Sequence, residues 1–396
     1  MSENTKHTMG KDTLLASLGT EDAHAHGVVN PPVYHASTVV FDTWAALRDG
    51  VRHMDEKFFY GRFGSPTTRS LEQALAGLEG GVGARLFPSG IAAVIGAILS
   101  VCRKGDHILI CDNAYEPTRK YATNFLNTLG IEADYYDPAL GADIKTKFKD
   151  NTTAVLIESP GSLTFEVADV PAMAAAARAR DIYLILDNTW AAGYFSSGIE
   201  LGADLVIQAC TKYIVGHADV MMGAVIAGER AMAKLAKTRI HLGQTVGPDD
   251  AYLTLRGLRT LGVRLKQHQA NAIKVAQWLD ARDDVHKVCY PALENAAGHD
   301  LWKRDFSGAS GLFSIILAGG KLGDIGTMVD DMQLFKLGLS WGGFESLIYP
   351  SDPSRARDVN KWSAPGPLVR LHIGLENVED IIADLDAALN RFKTTY

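Results

Sequence analysis

Cysteine is scarce in this chain, and its four copies, Cys102, Cys111, Cys210 and Cys289, share no C-x-x-C spacing. That scatter excludes a disulfide framework and a zinc ribbon, predicts no metal centre, and fits a reducing, cytoplasmic setting. Long basic runs are missing as well. With a formal net charge of -7 and no concentrated Lys/Arg cluster to neutralise phosphates, nucleic acid is not an expected partner. The opening stretch "MSENTKHTMGKD" carries no apolar segment of the secretory type. The longest apolar run, residues 86 to 102, is broken by Pro88, Ser89 and Gly90. It falls short of the ~20 residues a bilayer demands, so it reads as a buried helix and no membrane partner is expected. Internal repeats and low-complexity tracts are also absent.

What remains is an ordinary globular composition, 47% hydrophobic and 21% charged, in 396 residues. That length exceeds one typical core and predicts a large domain with smaller companions. Residues 1–62 alternate turn residues with short apolar runs, as in "GVVNPPVYHASTVVF", and read as an extended N-terminal arm lying on something else. Over 63–258 the runs "HILICD", "AVLIES", "YLILDN", "DLVIQA" and "GAVIAG" have the continuous apolar character of buried parallel strands. Helix-like segments such as "VPAMAAAARARD" lie between them. The alternation predicts an α/β fold, a central mostly parallel sheet between helices, with ligands held beyond the carboxyl ends of its strands. From residue 259 a long helical pattern, a strand-like "GLFSIILAG" and a final helix predict a smaller α+β domain. Asn377 caps that last helix, and Val378, Ile381, Ile382, Leu385 and Leu389 form its apolar stripe.

The chemistry gathers around "QACTKYIVGH", where Lys212 sits between apolar runs. Burying an unpaired ammonium is costly unless the site uses a neutral amine. Asp187 ends the strand "YLILD" and Lys212 follows the next strand 25 residues later, so both reach the same sheet edge. Taken alone, a strand-end Asp is more often a turn former or helix cap. Paired with a sequestered lysine, it matches pyridoxal phosphate chemistry: the amine holds the aldehyde as a Schiff base and the carboxylate keeps the ring nitrogen protonated. "FPSGIAAVIGAILS" offers the phosphate a helix start at Ser89 and Gly90. Tyr115 stands where an aromatic ring stacks on a pyridine face. Tyr60 and Arg62, in "FFYGRFGSPT", suit a phosphate from a neighbouring subunit. Arg370, the lone charge in "LVRLHIG", is either half of a buried ion pair or the receptor for a substrate carboxylate.

These residues resemble the Cys/Met-metabolism pyridoxal phosphate enzymes of fold type I, in their cystathionine beta-lyase branch. The likeness runs from "PPVYHASTVVFDT" through "YGRFGSPTTRSLEQALAGLEG", "DNAYEPTRKY", "IESPGSLTFEV", "LDNTWAAGYF", "TKYIVGHADVMMG", "SWGGFESL" and "RLHIGLE". The resemblance implies that Lys212 carries pyridoxal 5'-phosphate, Asp187 pairs with its ring nitrogen and Tyr115 stacks on the ring and assists proton transfers. Gly90, Ile91 and Thr211 would hold the phosphate with Tyr60 and Arg62 of a neighbouring subunit. Ser340 and Arg370 would position the substrate carboxylate, with Trp341 lining the pocket. It further implies a homotetramer, a dimer of dimers, acting on L-cystathionine by alpha,beta-elimination. Departures from the wider pattern bear on the reaction. Ala209 and Cys210 stand where many relatives place a phosphate-binding serine, Ser162 replaces an asparagine, and Glu116 follows the stacking tyrosine where methionine gamma-lyases have cysteine. Leu339 replaces the glutamate of gamma-specific enzymes. The alternatives are a gamma-lyase or cysteine desulfhydrase of the same family, or a binding protein that kept the fold without the activity.

Overall fold

A computed structural model describes residues 9–20, 27–54 and 57–393; the opening stretch to residue 8 and parts of the arm lie outside these. The arm contains helices α1 (Lys11–Ser17) and α2 (Trp44–Arg52), followed by α3 (Pro66–Glu79). The expectation of a wholly extended arm is therefore corrected. α1 has one buried residue, Leu15, too little apolar surface to show a period. Its stability is tertiary: Lys11 Nζ donates to the Gly193 carbonyl at 2.5 Å, Lys266 Nζ to Asp12 at 2.6 Å, and Arg259 to the Leu15 and Leu18 carbonyls at 2.7 Å.

Next come β1 (Gly83–Phe87), α4 (Gly90–Val101), β2 (His107–Cys111), α5 (Glu116–Asn124), β3 (Glu132–Tyr136) and β4 (Thr152–Glu158). The chain continues through α6 (Val170–Arg178), β5 (Tyr183–Asp187), β6 (Leu205–Gln208), β7 (Gly223–Ala227) and α7 (Glu229–Leu242). The seven strands lie in the order β1-β7-β6-β5-β4-β2-β3. Neighbours from β6 to β3 are parallel, whereas β7 runs antiparallel to both β6 and β1. "GAVIAG" is thus a buried strand of the opposite direction to that expected. A continuous apolar run reports burial on both faces, not polarity. Two reversals restore the direction of β1, so β1, β6, β5, β4 and β2 all end at one edge of the sheet.

Helices α8 (Pro248–Arg259) and α9 (Leu261–Asp280) lead to a second sheet of β8 (Val285–Cys289), β9 (Leu312–Leu317), β10 (Lys336–Leu337), β11 (Leu347–Ser351) and β12 (Leu368–His372). Its order is β10-β11-β12-β9-β8, antiparallel except for the β10/β11 pair. The closing helix α10 (Val378–Lys393) buries Ile381, Leu385 and Leu389 as its stripe requires, and Asn377 Oδ1 accepts the Glu379 amide at 3.0 Å. Among the described residues no helix is long and apolar enough to cross a membrane.

Candidate active site

The common edge of the first sheet faces β12 of the second across a cavity of about 360 Å³. From the first sheet, Ser89, Gly90, Ile91, Tyr115, Asp187, Thr211 and Lys212 all line it. Ser340, Trp341 and Arg370 line the opposite wall. Each first-wall residue follows the carboxyl end of its own strand, so one topological feature assembles them. The Lys212 ammonium donates to Ser340 Oγ at 2.7 Å and lies 5.2 Å from the Trp341 ring centroid. Arg370 Nη2 donates to the carbonyls of Gly338, Leu339 and Ser340 at 3.3, 3.1 and 3.3 Å.

Two cations share this space without neutralising each other. Burial, then the Arg370 charge, lower the Lys212 amine to about 8, with Asp187 opposing. Burial also pulls Arg370 down to about 10, which leaves it charged at neutral pH. Among the described residues no carboxylate pairs with Arg370; its partners are carbonyls and the Tyr349 ring at 5.0 Å. The reading of Arg370 as half of a structural ion pair therefore fails.

Asp187 Oδ1 accepts from the Thr189 amide at 3.1 Å and from its hydroxyl at 2.5 Å. Burial raises the Asp187 carboxyl, while Thr189 and Lys212 hold it down. Its neighbour across the β4/β5 ladder is Glu158, which lines the cavity and is pushed well above the usual range by burial and then by the Asp187 charge. Glu158 accepts the Tyr115 amide at 2.6 Å. Glu158 has fewer donors than Asp187, so its carboxyl is held the higher of the two and Asp187 ionises first.

Glu158 and Thr189 were missed by sequence reasoning. The argument that found Asp187, a carboxylate at a strand end on the binding edge, also applies to the Glu of "IESP" at the end of β4. Tyr60 and Arg62 behave differently. They line a separate cleft with Tyr34 and Val246, and Arg62 Nη1 donates to the Ile240 carbonyl at 3.2 Å. A single chain does not bring them into the Lys212 cavity. Thr211 is in the cavity, but its hydroxyl exchanges hydrogen bonds with the Met222 backbone, donating at 3.1 Å and accepting at 2.8 Å.

The donor set fits pyridoxal 5'-phosphate. Its aldehyde would meet the Lys212 amine, lowered to about 8, its basic ring nitrogen would meet Asp187, and its phosphate would meet the start of α4. There Ser89 Oγ caps the Ala92 amide at 3.2 Å, and the first-turn amides of Gly90 and Ile91 have no partner within the helix. Position 90 must be glycine, because a Cβ there would come within 2.8 Å of the Ala209 Cβ. Fold and site together have the features of a pyridoxal phosphate enzyme on a mostly parallel α/β sheet.

Comparison with known proteins agrees. The family model for Cys/Met metabolism PLP-dependent enzymes matches residues 12–390, and the chain belongs to that family. It is 45% identical to the cystathionine beta-lyase of Escherichia coli (strain K12) over 96% of this chain and 98% of that one. It is 39% identical to an L-alanine/L-glutamate racemase of Wolbachia pipientis wMel over 97% of this chain and 98% of that one. Among solved structures, a cystathionine gamma synthase from Xanthomonas oryzae pv. oryzae, in complex with aminoacrylate and cysteine, superposes with a TM-score of 0.89. That match has 31% identity and covers 98% of this chain and 100% of the other.

Proposed function

We propose that this protein is a carbon-sulfur lyase of methionine metabolism that cleaves L-cystathionine by alpha,beta-elimination to homocysteine, pyruvate and ammonia. One observation carries the reading: a lysine amine lowered to about 8 shares its cavity with an arginine that has no acidic partner among the described residues. Pyridoxal 5'-phosphate, when bound, supplies the electron sink that makes the substrate's α-proton acidic. The remaining work falls to the chain. Ser89, Gly90, Ile91 and Thr211 would hold the phosphate, Asp187 the ring nitrogen, and Tyr115 a ring face. Arg370 and Ser340 grip the substrate carboxylate and so fix the α-carbon beside Lys212. The Lys212 amine accepts the α-proton at Nζ and returns a proton to the departing sulfur.

The β rather than γ outcome is supported by Leu339. It lines the cavity immediately before Ser340 and offers no charge to a substrate's distal ammonium group. The racemase relative shares the α-proton step, and products separate the possibilities. The holoenzyme with L-cystathionine is expected to yield pyruvate and homocysteine, and Lys212→Ala to abolish turnover and the borohydride-stable cofactor adduct on the peptide containing residue 212. Release of 2-oxobutyrate, or conversion of L-alanine to its D form at a comparable rate, would transfer the chain to another branch.

The same reading includes a cytoplasmic homotetramer, a dimer of dimers, with arm 1–62, large domain 63–258 and smaller domain 259–396. It has no nucleic-acid or membrane partner. Support comes from four buried free cysteines and the net charge of -7. The displacement of Tyr60 and Arg62 from the cavity of their own chain supports their service in a neighbour's.

A further inference from the structure

We infer that His372 is a positioning residue for this reaction: its imidazole ties segment 338–346, which carries Ser340 and Trp341, to the ring of Tyr213 beside Lys212. The inference rests on the elimination reading above and concerns how two walls from different sheets keep register.

Side chains two apart on a strand share a face, so Arg370 and His372 of β12 point the same way. Both donate to the same segment. Arg370 takes its leading end through the carbonyls of residues 338 to 340, and His372 Nδ1 takes its far end through the Glu345 carbonyl at 2.9 Å. Further ties follow from the chain just after β12. The Leu375 amide donates to the Phe344 carbonyl at 2.8 Å, and the Gly374 amide to Ser346 Oγ at 2.9 Å. Segment 338–346 is in this way fastened to β12 and its continuation, and it must come very close to the lysine. Gly342 has φ +87°, and a Cβ there would lie 2.8 Å from the Lys212 carbonyl carbon.

The other half of the tie is aromatic. The His372 ring lies 5.7 Å from Tyr213, the residue after Lys212, and Tyr213 lies 5.5 Å from Trp341. His268 of α9 braces the arrangement, donating through Nδ1 to the Ile373 carbonyl at 2.8 Å and packing 5.2 Å from His372 and 5.3 Å from Tyr213. Position 372 thus needs three properties together: a donor for a carbonyl, a flat face for Tyr213, and no charge in a site only 1% exposed. Neutral imidazole supplies all three. Its proton is assigned to Nδ1 because the partner there can only accept. His372 bonds the segment whose leading end, Leu339 to Trp341, lines the Lys212 cavity.

The test compares His372→Phe, which keeps the ring and loses the donor, with His372→Asn, whose amide can stand near the Nδ1 position. On the holoenzyme, His372→Phe is expected to raise KM for L-cystathionine about tenfold with kcat changed less than about threefold. It should also speed amide hydrogen exchange in the peptide covering 338–346, and His372→Asn, which returns the donor without the ring, should restore most of both. Should His372→Phe fail to fold, His372→Gln, whose amide reaches the Nε2 position, carries the same comparison against Asn. Unchanged KM and exchange, a lowered melting temperature with neither altered, or no rescue by Asn would each overturn the inference. Hydrogen exchange needs no turnover, so it decides the question even if the wild type proves inactive on cystathionine.

Discussion

At the scale of single residues, the site depends on what burial does to charge. An exposed lysine is protonated up to pH 10, but burial and the Arg370 charge bring Lys212 to about 8. The sign is set by the depressed value: the reactive neutral amine grows as pH rises through 8 and is complete well below 10.5. The cofactor-free protein should accordingly take up pyridoxal 5'-phosphate at a rate that climbs to a plateau through about pH 8. Stopped-flow absorbance across pH 6 to 11 checks this, and a midpoint near 10.5 would show an ordinary lysine. Lys212 and Asp187 were legible because a charge at the end of an apolar strand is conspicuous. Glu158 has the same placement, but Ser159 and Pro160 directly after it give the segment the pattern of a turn. Thr189 was not legible, because a threonine holding a carboxylate is defined only by the distance between them.

Elements show a different boundary between what sequence reveals and what it hides. Each strand of the binding edge except β1 could be read from its apolar run, as could α4 from Ser89 and Gly90 and α10 from its stripe. The direction of β7 could not, since it depends on how the segment from Ala209 to Met222 returns without a crossover helix. α1 was hidden for want of apolar residues: its partners lie 182 or more positions away at Gly193, Tyr194, Arg259 and Lys266. α4 carries a prediction of its own. Gly90→Ala places a methyl against Ala209 at a helix start that must admit a phosphate, so either α4 or the segment after β6 has to shift. Cofactor affinity should fall at least tenfold while the melting temperature of the cofactor-free protein drops by only a few degrees. Fluorescence titration with pyridoxal 5'-phosphate measures the first and a thermal melt the second.

For the whole molecule, the arm is the part a single chain leaves unresolved in purpose. Tyr60 and Arg62 project from it into a cleft of their own, with Tyr60 39% exposed. If neighbouring subunits share sites, Lys212→Ala and Arg62→Ala proteins, each impaired alone, should regain activity when their subunits are mixed and reassembled. A hybrid then contains sites with both an intact lysine and an intact arginine. Mixing that gives only the average of the two parent activities would place Arg62 outside its neighbour's site. Part of the arm is held by surfaces far off in the chain, as α1 is, and part by its own contacts, among them the Thr38–Tyr60 bridge and the Phe41–Phe59 pair.

Lys212 stands beyond one sheet and Arg370 on the other, across the same cavity. With the roles proposed above, a bound amino acid would be a strut between the two sheets, and the gap between its carboxylate and its reacting carbon would fix how far apart they stand. Substrates would then be gauged by a span, and a change along the seam that tilts one sheet would reset the gauge without touching a single residue of the cavity wall.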